Sequence, residues 1–248
     1  MRFLVTRPQA DAGELKAHLE ARGHRVTLAP LLAVSFEDGD PIDLDEVQAL
    51  IATSKNGVRA LARDPAFLTG RHLPLLAVGP GTASTARSLG FAHVVQGPRS
   101  ARELVPVIAE AVDVNGGSLL HLAGDKLAYD VAGELQALGF HVLQPVVYNT
   151  RPVEALVPQV IREISRGEID AVILLSPQTA GIWANLVRVH GILPQGRRLI
   201  HVCLSAAVHT ALKAMGEVPV AVAKEPNLDE ILAAVDAAAA KWSRDNFE

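Results

Sequence analysis

Five segments of the 248-residue chain gather hydroxyls, amides and glycines where a short apolar stretch gives way to helical spacing. They are Thr53-Ser54-Lys55-Asn56-Gly57, Gly79-Pro80-Gly81-Thr82, Gly124-Asp125-Lys126, Ser176-Pro177-Gln178-Thr179 and the turn at Ser205. A helix start leaves backbone N–H groups unpaired and carries the positive end of the macrodipole, so such turns suit a carboxylate. The plainer reading is that Ser54, Thr82 and Ser176 cap their helices. The two roles are compatible, because a capped helix start keeps spare donors. Titratable machinery is sparse by comparison. His121 and His201 stand in apolar stretches and read as core or edge histidines, while His209 has no partner at metal-binding spacing. Cys203, the one cysteine, has no charged neighbour in HVCLS and reads as an inert buried thiol. It allows neither an intramolecular disulfide nor a cysteine-based structural zinc site. GPGT (79–82) is an incomplete G-x-G-x-x-G on a late strand, so no nucleotide is expected.

The elements that must carry these turns occur twice. GELKAHLEARGHRVTLAPLLAV (13–34) resembles GELQALGFHVLQPVVY (133–148), and DEVQALIATSKNGVRAL (45–61) resembles EIDAVILLSPQTAGIWANL (168–186). LLAVGPGTASTARSLGFAHVVQGPRSARELVPVI (75–108) likewise resembles HVCLSAAVHTALKAMGEVPVAVAKEPNLDEILAAV (201–235). Three segments recurring in one order indicate a duplication, about 1–117 and 118–248. Within each copy, short apolar strands alternate with amphipathic helices. Strands are expected at 3–6, 25–30, 49–53, 75–78 and 93–95, then 118–123, 141–148, 171–176, 199–204 and 219–223. Helices are expected over 9–22, 56–63, 82–89 and 100–112, then 128–138, 153–166, 179–188, 206–214 and 228–241.

That alternation, with short Gly- or Ser-bearing turns, predicts an α/β fold of two doubly wound parallel-sheet domains. Its binding turns gather at the carboxyl ends of the strands. VTLAPLLAV (26–34) and VLQPVVYNT (142–150) break the pattern, each long for a strand and interrupted by proline. They read as two extended crossover strands, paired as a ladder. One domain would then be 1–32 with 152–248 and the other 36–146, with linkers at 33–36 and 147–151; a plain split near 117 explains the repeats equally well.

Composition bounds the function. Hydrophobic residues make up 49%, charged residues 20% and aromatics 4%, which suits Ala, Leu and Val packing helices on parallel strands. A net charge of −4 without basic tracts, and without aromatic platforms, argues against nucleic acid as a partner. The start of the chain turns polar at once and no apolar run approaches a membrane span, so a cytoplasmic protein with no membrane partner is expected.

LVTRP (4–8), TSKNGVRAL (53–61), AVGPGTASTARSLGF (77–91), AGDKLAYDVAGELQALGF (123–140), PVVYNTRP (145–152), LLSPQTAG (174–181) and AKEPNLDEILAAV (223–235) follow one another in the order found in uroporphyrinogen-III synthases, which the chain resembles over nearly its whole length. The resemblance implies two α/β domains joined by a β-ladder, with the active site in the cleft between them. It implies a lyase that closes linear hydroxymethylbilane to uroporphyrinogen III, inverting the last pyrrole ring through a spirocyclic intermediate, with neither metal nor organic cofactor.

Such an enzyme must hold a polyanion in a folded geometry and favour one ring closure, which is catalysis by orientation. The resemblance makes Tyr148 the catalytic candidate, a phenol that protonates or hydrogen-bonds the departing hydroxyl; the plainer reading is an interfacial tyrosine with a wet hydroxyl. It implies substrate-binding roles for Thr6, Arg7, Thr53, Ser54, Asn56, Gly79, Gly81, Thr82, Gly124, Lys126, Ser176, Gln178, Thr179 and Ser205. The sequence departs from the family in two places. Val208 stands where a threonine is common, and Ala123 where an arginine commonly precedes the glycine, with Lys126 as the nearest replacement charge. Three readings follow: a synthase; a catalytically degenerate relative that binds a tetrapyrrole or partner protein; or a two-domain receptor closing on a small anion. A monomer is expected, with transient contact to the preceding pathway enzyme.

Overall fold

The computed structural model describes residues 1–37 and 41–247, with side chains to residue 240. Its strands are β1 (Arg2–Val5), β2 (Arg25–Leu28), β3 (Leu32–Phe36), β4 (Val47–Ala52), β5 (Pro74–Ala77), β6 (His93–Gln96), β7 (Ser118–His121), β8 (Ala123–Gly124), β9 (Val142–Leu143), β10 (Val146–Pro152), β11 (Ala171–Leu174), β12 (Ile200–Cys203) and β13 (Val220–Val222). Its helices are α1 (Gln9–Ala21), α2 (Lys55–Leu61), α3 (Phe67–Gly70), α4 (Gly79–Ser88), α5 (Ala101–Ala111), α6 (Val131–Ala137), α7 (Pro158–Ser165), α8 (Pro177–Val189), α9 (Leu193–Arg198), α10 (Ala206–Thr210) and α11 (Leu228–Phe247). No helix among the described residues is long and apolar enough to cross a membrane.

The chain divides into two compact units, Met1–Ala33 with Arg151–Glu248, and Val34–Thr150. Each is built on a five-stranded parallel sheet. In the first the strand order is β13-β12-β11-β1-β2, and in the second β6-β5-β4-β7-β9. Matching strand for strand, β1 and β2 of one sheet stand where β7 and β9 stand in the other. Each sheet therefore takes two strands from one sequence repeat and three from the other: the repeats have exchanged their strands.

The strands are almost continuously apolar because both faces are covered. In the first unit Leu4, Val172 and Leu174 enter one buried cluster, while Phe3, Val5, Ala171 and Ile173 enter the cluster on the opposite face. In the second, Leu50 and Ala52 face one cluster and Ala49 and Ile51 the other. Alternation between faces is the period-2 geometry of a strand; burial on both sides removes its polar half.

The two proline-bearing crossovers are each two strands rather than one. Backbone N–H groups of Ala29 and Leu31 still donate to Val5 and Thr6 beside β1, and Pro30 between them has no N–H to offer. Beyond it β3 begins. Likewise β9 pairs with β7, the chain breaks at Gln144-Pro145, and β10 pairs with β8. β3, β10 and β8 form a separate three-stranded sheet.

Several helices differ from the sequence reading at their ends. α4 starts at Gly79 (φ 68°) rather than at Thr82, with Pro80 in its first turn. α6 starts at 131, because Asp130 accepts from the Gly133 N–H at 2.9 Å and caps it. α7 begins at Pro158, since β10 runs on to Pro152. The helix expected over 206–214 stops at Thr210; a 3-10 turn follows at Lys213–Met215, ended by Gly216 at φ 80°. α3 and α9 were not foreseen.

Candidate functional site

In the second unit, the turns after β4, β5, β6 and β8 line a pocket of about 550 Å³. Its walls are Thr53 and Ser54 after β4, Val78 after β5, Arg99 to Arg102 after β6, Lys126 to Tyr129 after β8, and Tyr148 of β10. These are the carboxyl ends of the sheet strands, where a parallel sheet presents its helix starts to a ligand.

Tyr148 is 9% exposed, with its ring against the apolar cluster that holds Leu50, Val58 and Leu122. It is the register partner of Gly124 in the parallel β8–β10 pairing, and its carbonyl accepts from the Asp125 N–H at 3.1 Å. Asp125 Oδ1 in turn accepts from the Thr150 N–H at 3.0 Å, so Asp125 holds the strand at the tyrosine and two residues beyond it. Among the described residues the Tyr148 hydroxyl has no hydrogen-bond partner. A packed phenol with a free hydroxyl in a pocket wall is equipped to address a bound molecule.

Ser54 is an N-cap, accepting from the Asn56 N–H at 3.2 Å, and Asn56 Oδ1 accepts from Arg59 at 3.1 Å. Thr53 Oγ1 lies 3.2 Å from His121 Nε2, and His121 Nδ1 lies 2.9 Å from Gln144 Oε1. His121 is fully buried, and that burial lowers its pKa. Gly81 underlies Lys55, whose Cε a Cβ on the glycine would approach to 2.9 Å. Gly79 donates its N–H to Pro98 at 2.7 Å and so ties the β5 turn to the β6 turn. Thr82 is buried inside α4 and is not its cap.

The pocket is electropositive. Arg99, Arg102 and Lys126 line it and no carboxylate does, among the described residues. The Arg102 guanidinium lies over the Tyr129 ring at 5.2 Å, an arrangement that holds a planar donor fork in place. The hydrogen bond from Tyr129 to Glu134 raises the phenol pKa. Sequence reading missed Arg99, Arg102 and Tyr129. The available signal was G-P-R-S-A-R-E after a strand, a fourth turn of the same kind, with Ser100 capping α5.

The turns of the first unit differ. The Thr6 hydroxyl is buried and donates to the Ile173 carbonyl at 2.7 Å, so it ties β1 to β11. Ser176 and Thr179 form a reciprocal capping box, with Ser176 Oγ accepting from the Thr179 N–H at 3.1 Å and Thr179 Oγ1 accepting from the Ser176 N–H at 3.2 Å. Ser205 occupies the cap position of α10 without a side-chain cap bond. Arg7 is half-buried after β1, and exposed Gln178 lines a separate groove beside Asn185 and Glu154. Cys203 is buried, which pushes its thiol up to about 12, and His201 accepts from Trp183 Nε1 at 3.1 Å. Neither takes part in a turn.

Residues 13–233 match the family described as Uroporphyrinogen-III synthase HemD. The chain belongs to the uroporphyrinogen-III synthase family. Synthesis of uroporphyrinogen III, a step of porphyrin and heme biosynthesis, is the function this membership carries. Among solved structures, uroporphyrinogen-III synthetase from Helicobacter pylori matches with a TM-score of 0.61 at 18% identity, over 96% of this chain and 99% of that one. A mutant uroporphyrinogen III synthase from the extremely thermophilic bacterium Thermus thermophilus matches with a TM-score of 0.52 at 19% identity, over 97% and 99%. At these identities the shared property is the two-sheet α/β fold. No curated protein matches the chain.

Against the synthase pattern, both departures lie in the interior. Ala123 is 1% exposed in β8 and Val208 is 1% exposed in the core of the first unit. Neither lines the pocket around Tyr148, whose positive charge comes from Lys126, Arg99 and Arg102.

Proposed function

We propose that the chain acts as a hydro-lyase on linear hydroxymethylbilane, and that the second unit's pocket carries the chemistry. The observation that carries this reading is the Tyr148 hydroxyl, without a hydrogen-bond partner among the described residues, in the wall of a pocket that those residues line with Arg99, Arg102 and Lys126 and with no carboxylate. The cations and the helix-start N–H groups hold the substrate's carboxylates. With those anchored, Tyr148 passes its phenolic proton to the terminal hydroxyl as the C–O bond breaks, so the hydroxyl leaves as water, and the phenolate recovers a proton from the pyrrole N–H that is lost as the azafulvene forms. The pyrrole ring supplies the electron pair that replaces the C–O bond, and ring closure follows from an azafulvene that needs no protein nucleophile. Ser54, Asn56, Gly79, Gly81 and Gly124 shape the turns around it; Arg7, Gln178 and Ser205 are the remaining candidates in the first unit. Thr6, Thr82, Ser176 and Thr179 serve the fold, because they are buried or engaged in caps.

The corresponding expectations are a monomer in the cytoplasm that receives the bilane by transient contact with the enzyme that makes it. Sedimentation as a single 26.3 kDa species checks the monomer. The function itself is tested by adding purified protein to freshly generated hydroxymethylbilane and separating the porphyrin isomers after oxidation. Isomer III is expected to dominate. Isomer I alone, at the uncatalysed rate, would overturn the reading.

A further inference from the structure

His121 lies at the end of β7 with both ring nitrogens engaged and with no exposed surface. Gln144 presents its amide oxygen to Nδ1 at 2.9 Å, and an amide oxygen only accepts. Nδ1 therefore carries a proton. Burial disfavours the imidazolium, so the ring is neutral and has only that one proton. Nε2 must then accept, and its partner 3.2 Å away is the Thr53 hydroxyl. A hydroxyl has one proton, which here points inward to the histidine. What Thr53 turns towards the pocket is oxygen lone pairs.

We infer that His121 is a positioning residue: through Gln144 it fixes the Thr53 hydroxyl as a hydrogen-bond acceptor in the pocket, matched to a pyrrole N–H and not to a carboxylate. The resemblance implies a substrate-binding role for Thr53; the geometry makes that role one of accepting. The pocket then divides the polar work. Carboxylates, which only accept, go to Arg99, Arg102 and Lys126, and a ring N–H goes to Thr53. A tetrapyrrole offers both kinds of group, whereas a simple polycarboxylate offers one. The inference rests on the proposed reading for the identity of the ligand, but not for the hydrogen-bond order.

The first test needs no substrate. Nitrogen-15 spectra of the imidazole side chains of the full chain, with His121→Asn to assign the signal, identify which nitrogen holds the proton at neutral pH. A proton on Nδ1 of His121 and a bare Nε2 are expected; a proton on Nε2 overturns the inference. The second test uses steady-state kinetics with the bilane. Thr53→Val and Gln144→Leu are expected to raise KM roughly 3- to 10-fold, the value of one ordinary hydrogen bond, with kcat little changed. Thr53→Ser keeps the hydroxyl and is expected to rescue KM, whereas Gln144→Glu places a carboxylate on Nδ1, favours the imidazolium, makes Nε2 a donor and is expected not to rescue it. Equal KM values for Thr53→Val and Thr53→Ser would overturn it. Because the spectra are read without turnover, failure of the synthase reading and failure of this inference remain separate results.

Discussion

The phenol of Tyr148 fills the space that a side chain at position 124 would need: a Cβ on Gly124 would lie 2.5 Å from Cζ and 2.7 Å from Oη of the ring. Gly124 is not among the glycines with positive φ, so its backbone tolerates other residues and the ring alone demands glycine. Gly124→Ala is therefore expected to displace the phenol rather than the strand. We expect a loss of about 1–3 kcal/mol in stability from overpacking. Turnover is expected to fall by about 100-fold through misplacement of the hydroxyl. Isomer III formation and a urea titration on the same sample check both; wild-type turnover with normal stability would contradict the arrangement.

Tyr148→Phe separates the ring from its hydroxyl. Because the hydroxyl has no partner among the described residues, its removal leaves nothing unsatisfied, and the thermal midpoint is expected to stay that of the wild type. The rate of isomer III formation is expected to fall by about 10²- to 10⁴-fold, the usual worth of a general acid. Full activity in this variant would end the assignment.

Ser176→Ala tests the division between structural and binding hydroxyls. The serine closes a capping box at the start of α8, and its loss is expected to cost about 1 kcal/mol. For a chain of this size that lowers the thermal midpoint by about 2–4 °C. KM and kcat are expected to hold, which kinetics on the variant will check; a rise in KM without a change in melting would restore Ser176 to the binding set.

Acid is expected to weaken the fold through His201. Burial lowers its pKa from the ordinary 6.5 to about 4, so between those values the unfolded chain binds more protons than the folded one. Stability falls as the pH drops through that window, by about 3 kcal/mol once it is crossed. The burial-lowered pKa of His121 acts in the same direction. Urea midpoints measured from pH 7 to pH 4, with His201→Gln as the comparison, check the effect; identical slopes in the two proteins would rule out His201 as its source.

Much of the fold could be read in the sequence because parallel strands buried on both faces leave apolar runs such as ALIA (49–52) and AVIL (171–174), and because the repeats mark corresponding turns. What escaped reading depended on partners far away in the chain. His121 reads from the sequence as a core or edge histidine, yet its meaning lies in Gln144, 23 residues on, and Thr53, 68 residues back. The start of α4 was placed at Thr82 by its capping chemistry, whereas Gly79 and Pro80 open the helix by conformation alone. Arg99 and Arg102 resemble ordinary surface cations until β6 is set beside β5 and their turn joins the others.

The exchange of strands between the repeats also fixes an order of events during synthesis. The inner unit, Val34–Thr150, is contiguous, and all five strands of its sheet have been translated by Leu143. The outer sheet begins first and finishes last: β1 is made by Val5, but its neighbour β11 does not begin until Ala171. At roughly 5–20 residues per second, β1 and β2 wait on the order of 10–30 s beside a nascent chain that cannot yet pair with them. A chaperone that shelters the first thirty residues would protect the assembly step at which an apolar two-stranded fragment is otherwise left open to aggregation.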